Sequence, residues 1–598
     1  MNAKLKSILT SAWNEPRAFF GWLTLSSSLL FGITTLFLHV GNPQFTFSSP
    51  VPLAAQMIAL LSLLCFVVAF FCFLLAWIPP LRRVLAWSLK RRFFIIAFLA
   101  TLIALFYATE NWRGRRAWAN FQTEWAVKGE YFTTASITPP PVPDDENFFC
   151  TKTWERFRFT GKGYPAWDND KFNEDTVLSA YGPIATNAPP LSQIAKGIRT
   201  DLIAWQNYYR GPNNLFPTTN GTFTNFFPIS ISPQTPAKDV LLALSRYEET
   251  LQQLREAARR PHARFWINYE DGFSARFPHL SRLKACSQYL SLHAIASLAE
   301  GNTEIALDDI LLSFRLGETI KSEPVLISFL VQVAISRGRA EPIWEGLVDH
   351  RWSDAQLAAI CEALARENHL ENYRIGMRGE RAFANYCYDQ INRTRDWNFL
   401  SDEEPTTKAE VALLEQTLGN SLFRLVPSGW FDQNKVSNSR MHMEFIQPAV
   451  DVERMIASPA TTKRMDSAML NKSLSPTPYN LFSHLLLPAL SKAAEKSARG
   501  QSFKDLALVA CLLERHFLAH KQYPETLDAL VPQFITKLPH DVINGQPLKY
   551  RRTETGGFIL YSVGWNEKDD GGTVAMTYSK TPTVDMTKGD WVWASEAK

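Results

Sequence analysis

The chain contains no GxSxG, HExxH, GxGxxG or Walker A pattern, so no nucleophile, metal or phosphate site with a known mechanism can be read from it directly. Cysteine is sparse, with seven residues in 598, and no two stand in a CxxC spacing. Cys65 and Cys72 fall in an apolar run. Cys150, Cys286, Cys361, Cys387 and Cys511 are isolated from one another. That spacing argues against a disulfide framework or zinc site and favours buried free thiols. A strong charge excess is also missing. Of 62 basic and 58 acidic residues, only 8 and 2 lie in the first 110 positions, leaving 54 and 56 beyond them. The overall +4 therefore comes from the N-terminal part, and nothing in the rest supports nucleic-acid binding.

What the first 110 residues do contain is three apolar runs. Residues 19–40, 51–78 and 93–108 carry no Asp, Glu, Lys or Arg over 22, 28 and 16 positions. At about 1.5 Å per residue the first two can cross a hydrocarbon core of about 30 Å, and the third can with help from its polar ends. The first run is too long for a signal peptide and no small-x-small site follows it. Lys4, Lys6 and Arg17 precede the runs, and Arg82, Arg83, Lys90, Arg91 and Arg92 fill the loop expected between the second and third. Only Arg113, Arg115 and Arg116 follow on the other side. This imbalance predicts three crossings of a cytoplasmic (inner) membrane, with the large C-terminal body on the outer face.

The body begins with a polar helix over 111–130 bearing Trp112, Trp118, Phe121 and Trp125, read either as an interfacial collar or as a helix packed on the body. Pro139, Pro140, Pro141 and Pro143 form a stiff spacer. Residues 148–234 are irregular, with one helical piece near 201–209. Their cluster Asp168, Asn169, Asp170, Asn173, Glu174 and Asp175 lacks EF-hand spacing and reads as a solvated acidic loop. From Thr235, a capping residue before Pro236, helices dominate. Val240, Leu244, Tyr247, Leu251, Leu254 and Ala258 form one apolar stripe, and further helices are expected over 280–299, 303–321, 324–348, 354–368 and 370–393. Short joints make these antiparallel neighbours, and Ser353 with Gln356 forms a capping box. Ala299 to Asn302 followed by Ala306 resembles the helix–turn–helix of a tetratricopeptide repeat, without a clean 34-residue period. The fold class is thus membrane-anchored and mainly α, with a TPR-like array or bundle. Residues 411–418 are expected helical, 427–439 a loop, and 480–520 a helix interrupted near Pro488 with one strongly apolar side after Phe503.

Residues 506–572 carry a more specific pattern. An amphipathic helix over 506–520 leads into Gln522, Tyr523 and Pro524 and a short helix over 525–530. Pro539, His540 and Asp541 follow, then a hairpin of 548–553 and 558–563 turned by Thr555, Gly556 and Gly557. A loop ending Lys568, Asp569, Asp570, Gly571 and Gly572 closes it. This resembles the C-terminal α+β module of type II secretion major pseudopilins, over about a ninth of the chain. The helix upstream departs from the family, because Lys492, Glu495, Lys496 and Arg499 follow its apolar run. The resemblance implies Asp569 and Asp570 as calcium ligands, beside the plainer reading of an Asp-Gly turn without metal. The whole pattern also resembles a group of uncharacterised bacterial multi-span envelope proteins.

The breaks divide the chain into a three-span anchor (1–110), a juxtamembrane helix and spacer (111–147), an irregular region (148–234), a helical array (235–400), a connector (401–480) and the pseudopilin-like module (481–598). His516 and His520, with Glu514 and Cys511 on the same helix, have metal-ligand spacing without a visible third ligand, so packing is the expected role. Arg374, Arg378, Glu380 and Arg381 read as a salt-bridged helix face, with an anion-binding face as the alternative. The expected function is a membrane-tethered, non-catalytic envelope protein that contacts a protein partner through its array and terminal module. The alternatives are an envelope hydrolase with carboxylates assembled only in three dimensions, or an adaptor of a secretion or pilus-like system. No cofactor is expected apart from the calcium implied above.

Overall fold

The computed structural model describes residues 21, 23–25, 67, 70, 71, 73, 74, 77–155, 188–217, 223–395, 425–470, 477–578 and 583–597. The apolar runs 19–40 and 51–78 fall largely outside these residues. The acidic cluster 168–175 and the helix expected over 411–418 fall wholly outside them. The chain divides into two units, Met1–Trp112 and Arg113–Lys598.

Helix α1, Pro79–Ala126, is 48 residues long. The basic segment expected as a loop is therefore helical from Pro79 onward, a start that suits proline because its missing N–H would be unpaired there in any case. Its part Arg91–Ala126 is long and apolar enough to cross a membrane, and only 6% of its most apolar window is buried. Phe94 and Ile96 are 71% and 65% exposed. No other helix among the described residues meets that test.

In the second unit, the aromatic residues after Arg113 pack on the body. Phe121 and Phe132 are buried with Val436, and Trp118 and Trp125 lean on them. The prolines at 139–141 and 143 then lead to Asn147, whose side chain bonds Arg264 O and accepts from Phe149 N and Arg264 N. Arg260 clamps the carbonyls of Asp144, Asn147 and Cys150. Phe148, Phe149 and Trp154 are thereby sealed from solvent. The described part of the irregular region is thus a wall of the core: Trp205, Tyr209 and Phe227 join the same cluster as Leu244, Leu251 and Leu283.

Helices α2 (Leu202–Arg210), α3 (Pro236–Leu244) and α4 (Glu248–Ala258) follow, capped at their starts by Asp201 on α2 and Thr235 on α3. Asp239, in the first turn of α3, is buried and held by Arg210, Ser230 and Gln206. The stack continues with α5 (Pro278–Ala299), α6 (Thr303–Glu318), α7 (Leu326–Val348), α8 (Asp354–Ala365) and α9 (His369–Thr394). These match the expected helices to within a few residues. Joints of three to seven residues fold each helix from α5 to α9 back on its neighbour. The capping box at Ser353 and Gln356 is formed. The joint before α7 is fixed by Glu323, which is buried and bonded by His279 and Ser328. Gly379 lets α9 pass under that joint, since a Cβ there would lie 1.4 Å from Pro324 O.

Two expectations fail in the next stretch. Residues 427–439 are not a loop, because Ser428–Met441 forms helix α10. Its Gly, Ser and Asn content misled the periodicity reading, but Asn434 and Lys435 are buried and partnered. Lys435 pairs with Asp389 and Asp432, and Asn434 bonds Trp430 O and Pro478 O. After α11 (Pro459–Leu470), helix α12 runs unbroken from Leu481 to His520 through Pro488. Every residue from Leu506 to Leu513 is at most 5% exposed, so this part is apolar all round rather than one-sided. A helix apolar on all faces needs a complete protein or lipid surround. Here α7, α8 and the C-terminal residues Leu548, Phe558, Leu560 and Trp593 supply it, and each of the five Leu and Val side chains contributes about 1.5–3 kcal/mol.

The terminal hairpin forms as expected, with β5 (Lys549–Arg552) antiparallel to β6 (Phe558–Ser562), Arg552 opposite Phe558, and Gly556 at φ +90° in the turn. Here the labels continue from the short pairs β1–β2 (Leu215–Pro217, Phe223–Asn225) and β3–β4 (Val450–Asp451, Ile456–Ala457). The segment expected as a helix over 525–530 is a 3-10 turn, Leu527–Leu530. Beyond the expectation, β7 (Val574–Met576) pairs β8 (Val584–Gly589), and β9 (Trp591–Ala594) completes a three-stranded sheet on β6. Trp591 and Trp593 are buried, and Trp344 of α7 donates to Ala594 O.

Candidate functional site

The residues singled out by motif reading are mostly spoken for by the protein. Asp569 accepts from Tyr561 Oη at 2.9 Å and Gly571 N at 3.1 Å, and its other oxygen pairs with Lys549 at 3.2 Å. These partners hold its carboxyl below the usual range, the Tyr561 hydroxyl first. Asp570 accepts from Asn566 at 2.9 Å. The loop between them is tied down by a residue that motif reading missed. Buried Asp590 accepts the backbone N–H groups of Asp570, Gly572 and Thr573. Among the described residues no three His, Cys, Asp or Glu side chains group as metal ligands. In this structure Lys549 faces the Asp569 carboxylate and Asn566 donates to that of Asp570.

His516 and His520 stack at 4.1 Å, and their Nδ1 atoms face the carbonyls of Gln522 and His516. Glu514 bonds His350 and Tyr523. Cys511 is buried; its hydrogen bond with Cys361, then burial, push its thiol up. Cys286, Cys361 and Cys387 are buried as well, and Cys150 is half-buried. On α9 the salt-bridged reading holds with an added partner. Arg374 pairs with Glu371 and Glu453, while Arg378 and Arg381 both grip Glu130, each at 2.6 Å. Burial would raise the Glu130 carboxyl, but the two guanidiniums outweigh it and hold it below its ordinary value. Glu380 receives Leu326 N at the start of α7, and burial pushes it up to about 7.

The remaining chemistry gathers in a cleft between α7 and α12. One chamber of about 210 Å³ is lined by Leu330, Val333, Ile343, Leu364 and Phe503, with Arg337, Lys496 and Arg499 on its polar side. A second, of about 380 Å³, shares Ala334 and Arg337 with it and adds Lys284, Ser287, Gln288 and Glu341. Arg339 and Lys504 also border the cleft, but Glu367 and Asp505 neutralise them. Arg337, Lys496 and Arg499 have no carboxylate within 4.0 Å among the described residues. Burial, then the neighbouring Arg337, hold the Arg499 guanidinium below its usual value, with Glu495 opposing.

Glu341 lines the second chamber, whose other wall is α5 rather than α12. Its Oε2 is buried with no hydrogen-bond partner. Burial pushes the carboxyl up to about 8, with Arg337 opposing and Glu345 adding. At neutral pH it is therefore a neutral acid able to donate a hydrogen bond. One turn further, Glu345 is held by Ser192 Oγ at 2.5 Å and Thr200 N at 2.9 Å. A buried, shifted acid in a cleft is a physical marker of a functional site. Its signal in the sequence was partial. Lys496 and Arg499 were visible as charges interrupting an apolar helix, but their meeting with Arg337 spans about 160 residues and had no periodic trace. No family model matches the chain, and no curated protein or solved structure matches it either.

Proposed function

We propose that the protein is a membrane-tethered, non-catalytic envelope protein whose helical body and terminal module make contacts with other proteins. The single observation that carries the tether is the exposed apolar surface of α1 around Phe94 and Ile96. Left in water it would cost about 25 cal/mol for each Å², a cost that a bilayer removes. In this reading the runs 19–40 and 51–78 cross as well, the membrane is the cytoplasmic one of a bacterial envelope, and the body lies on its outer face. The contact half is supported by α5 to α9, a stack of short-jointed helices of the TPR-like kind, whose free edge is an extended surface. The pseudopilin-like hairpin adds a second one, and a secretion or pilus-like machine is a natural class of partner.

Two experiments test this. A reporter active only outside the cytoplasm should work when fused after Lys598 and fail when fused after Arg92; the reverse pattern inverts the topology. Crosslinking from native membranes should capture a defined protein, lost on substituting exposed positions between 280 and 393 while the body still folds. A hydrolase reading has one observation in its favour, the buried acid Glu341 with its raised carboxyl, one turn from Glu345, the partner of Ser192. It displaces the binding reading if the protein degrades envelope polysaccharide or peptide and Glu341→Gln abolishes that turnover.

A further inference from the structure

Most arginines in the interior of the body have a dedicated acid. Arg210 has Asp239, Arg339 has Glu367, and Arg378 and Arg381 share Glu130. The α7–α12 cleft holds two arginines without one, half-buried Arg499 and exposed Arg337. Arg337 and Arg499 face the same chamber, close enough for each other's charge to disfavour the half-buried Arg499 cation. Lys496 stands one turn before Arg499 on α12. Two like charges turned together over an apolar floor are unfavourable unless an anion sits between them.

We propose that this cleft binds a small amphiphilic anion, its carboxylate or phosphate head between Arg337 and Arg499 and its apolar arm along Val333, Leu364 and Phe503. A planar guanidinium can grip either head through two parallel hydrogen bonds, which suits both head chemistries. Glu341 lies on the adjoining wall across Arg337.

Size sets the arm. Taking about 30 Å³ for each water-sized group, the 210 Å³ chamber holds about seven heavy atoms. That is the arm of a medium-chain acid, too little for a two-chain lipid and too apolar for a bare inorganic anion. The site is independent of the protein-contact reading above, since it lies between two packed helices rather than on the free edge of the stack.

The test uses the full chain in nanodiscs of zwitterionic lipid, with empty discs as the blank. Octanoate, octyl phosphate, octanol and inorganic phosphate are titrated by calorimetry. Octanoate or octyl phosphate should bind saturably, at least tenfold more tightly than octanol or inorganic phosphate. The better of the two octyl ligands identifies the head. Arg337→Gln and Arg499→Gln should each weaken that binding at least tenfold. Arg337 is exposed, so its variant should keep the melting temperature of the free protein and serve as the control for folding. Equal binding of octanol removes the charge from the proposal, and equal binding of inorganic phosphate removes the apolar arm; either overturns it. So does binding by Arg337→Gln that matches the parent protein, or the absence of saturable binding by any of the four.

Discussion

Two long helices of this protein have similar apolar stretches and opposite fates. In α1, the stretch around Phe94 and Ile96 points large side chains outward on every face. In α12, the stretch from Leu506 to Leu513 is enclosed by α7, α8 and the terminal sheet β5–β6–β9. Neither has a polar side, so helical periodicity cannot tell them apart. What separates them is the treatment of nearby charge. Lys504 and Asp505 on α12 are buried as a pair at 2.5 Å, and Glu514 is buried between His350 and Tyr523. Such compensation is the mark of a helix solvated by protein. The apolar stretch of α1 is free of charge between Arg92 and Glu110 and has no such network, as expected where the solvent is lipid.

The contrast is broken most severely by a charge placed in each helix. Val509→Asp puts an unpartnered carboxylate in the centre of the body, and a loss of about 3–5 kcal/mol is expected, a large part of the 5–15 kcal/mol typical of a whole domain. Chemical denaturation of the body would read it. Ile96→Asp should leave that denaturation curve unchanged and instead lower membrane insertion, by about 3 kcal/mol for a mid-span position. If Ile96→Asp unfolds the body and leaves insertion intact, the assignment of solvents is reversed.

A gentler truncation should separate the same two regions. Leu512→Ala removes buried methyl groups beside α8 and should cost about 2–5 kcal/mol. Leu99→Ala, on the exposed stretch of α1, should change the stability of the body by less than about 0.5 kcal/mol. Equal losses at the two positions would mean that 93–106 is part of a packed protein core.

Protonation sharpens the comparison, because shifted groups occur where protein is the solvent. The Glu341 carboxyl is pushed from its ordinary 4.5 up to about 8 by burial. Between those values the folded state keeps a proton that the unfolded chain releases, so stability falls as pH rises through this window. Glu341→Gln should flatten that slope and stabilise the protein by about 2–4 kcal/mol at pH 8, with little effect at pH 4.5. Buried His369 and His442 act in the opposite direction, held down to about 4 and about 3 by burial, with Glu367 opposing at His369 and Arg381 adding at His442. The unfolded chain protonates both near 6.5, so their contribution is lost as pH falls from there toward 3. Thermal melts from pH 4 to 9 should therefore show a maximum in between, moved to higher pH by Glu341→Gln.

Much of the helical middle was legible because each helix carries its own start signal and a stripe spaced by three and four. Ser353 with Gln356 and Thr235 with Pro236 fix their helices locally, and the hairpin is announced by Gly556 and Gly557. Helix α10 was illegible for the converse reason. Its Asn434 and Lys435 look solvated in sequence, and only Asp389, Asp432 and the carbonyls of Trp430 and Pro478 make their burial tolerable. The cleft failed to announce itself for a related reason. Arg337 and Arg499 acquire meaning from proximity, and proximity of α7 to α12 is a tertiary fact. Gly500, whose added Cβ would meet Val333 at 3.2 Å, marks that approach but reads in sequence as a weak helix residue.

The smallest effect is expected in the loop at Asp569 and Asp570, for which the resemblance implies calcium and the plainer reading an Asp-Gly turn without metal. A calcium loop draws its rigidity from a cation that collects several oxygens, so chelation and ligand removal both soften it. Here the same work falls to the protein. Asp590 collects three backbone N–H groups, and Lys549 supplies the positive charge facing Asp569. Asp570 contributes only an exposed bond to Asn566 and its own N–H to Asp590. Asp570→Ala keeps that N–H, so the melting temperature should move by no more than a surface substitution moves it, within about 0.5 kcal/mol. Adding a chelator should leave the parent protein and the variant unchanged alike. A chelator-induced drop in the parent that Asp570→Ala removes would place calcium in the loop and require Asp569 to leave Lys549 when the ion binds.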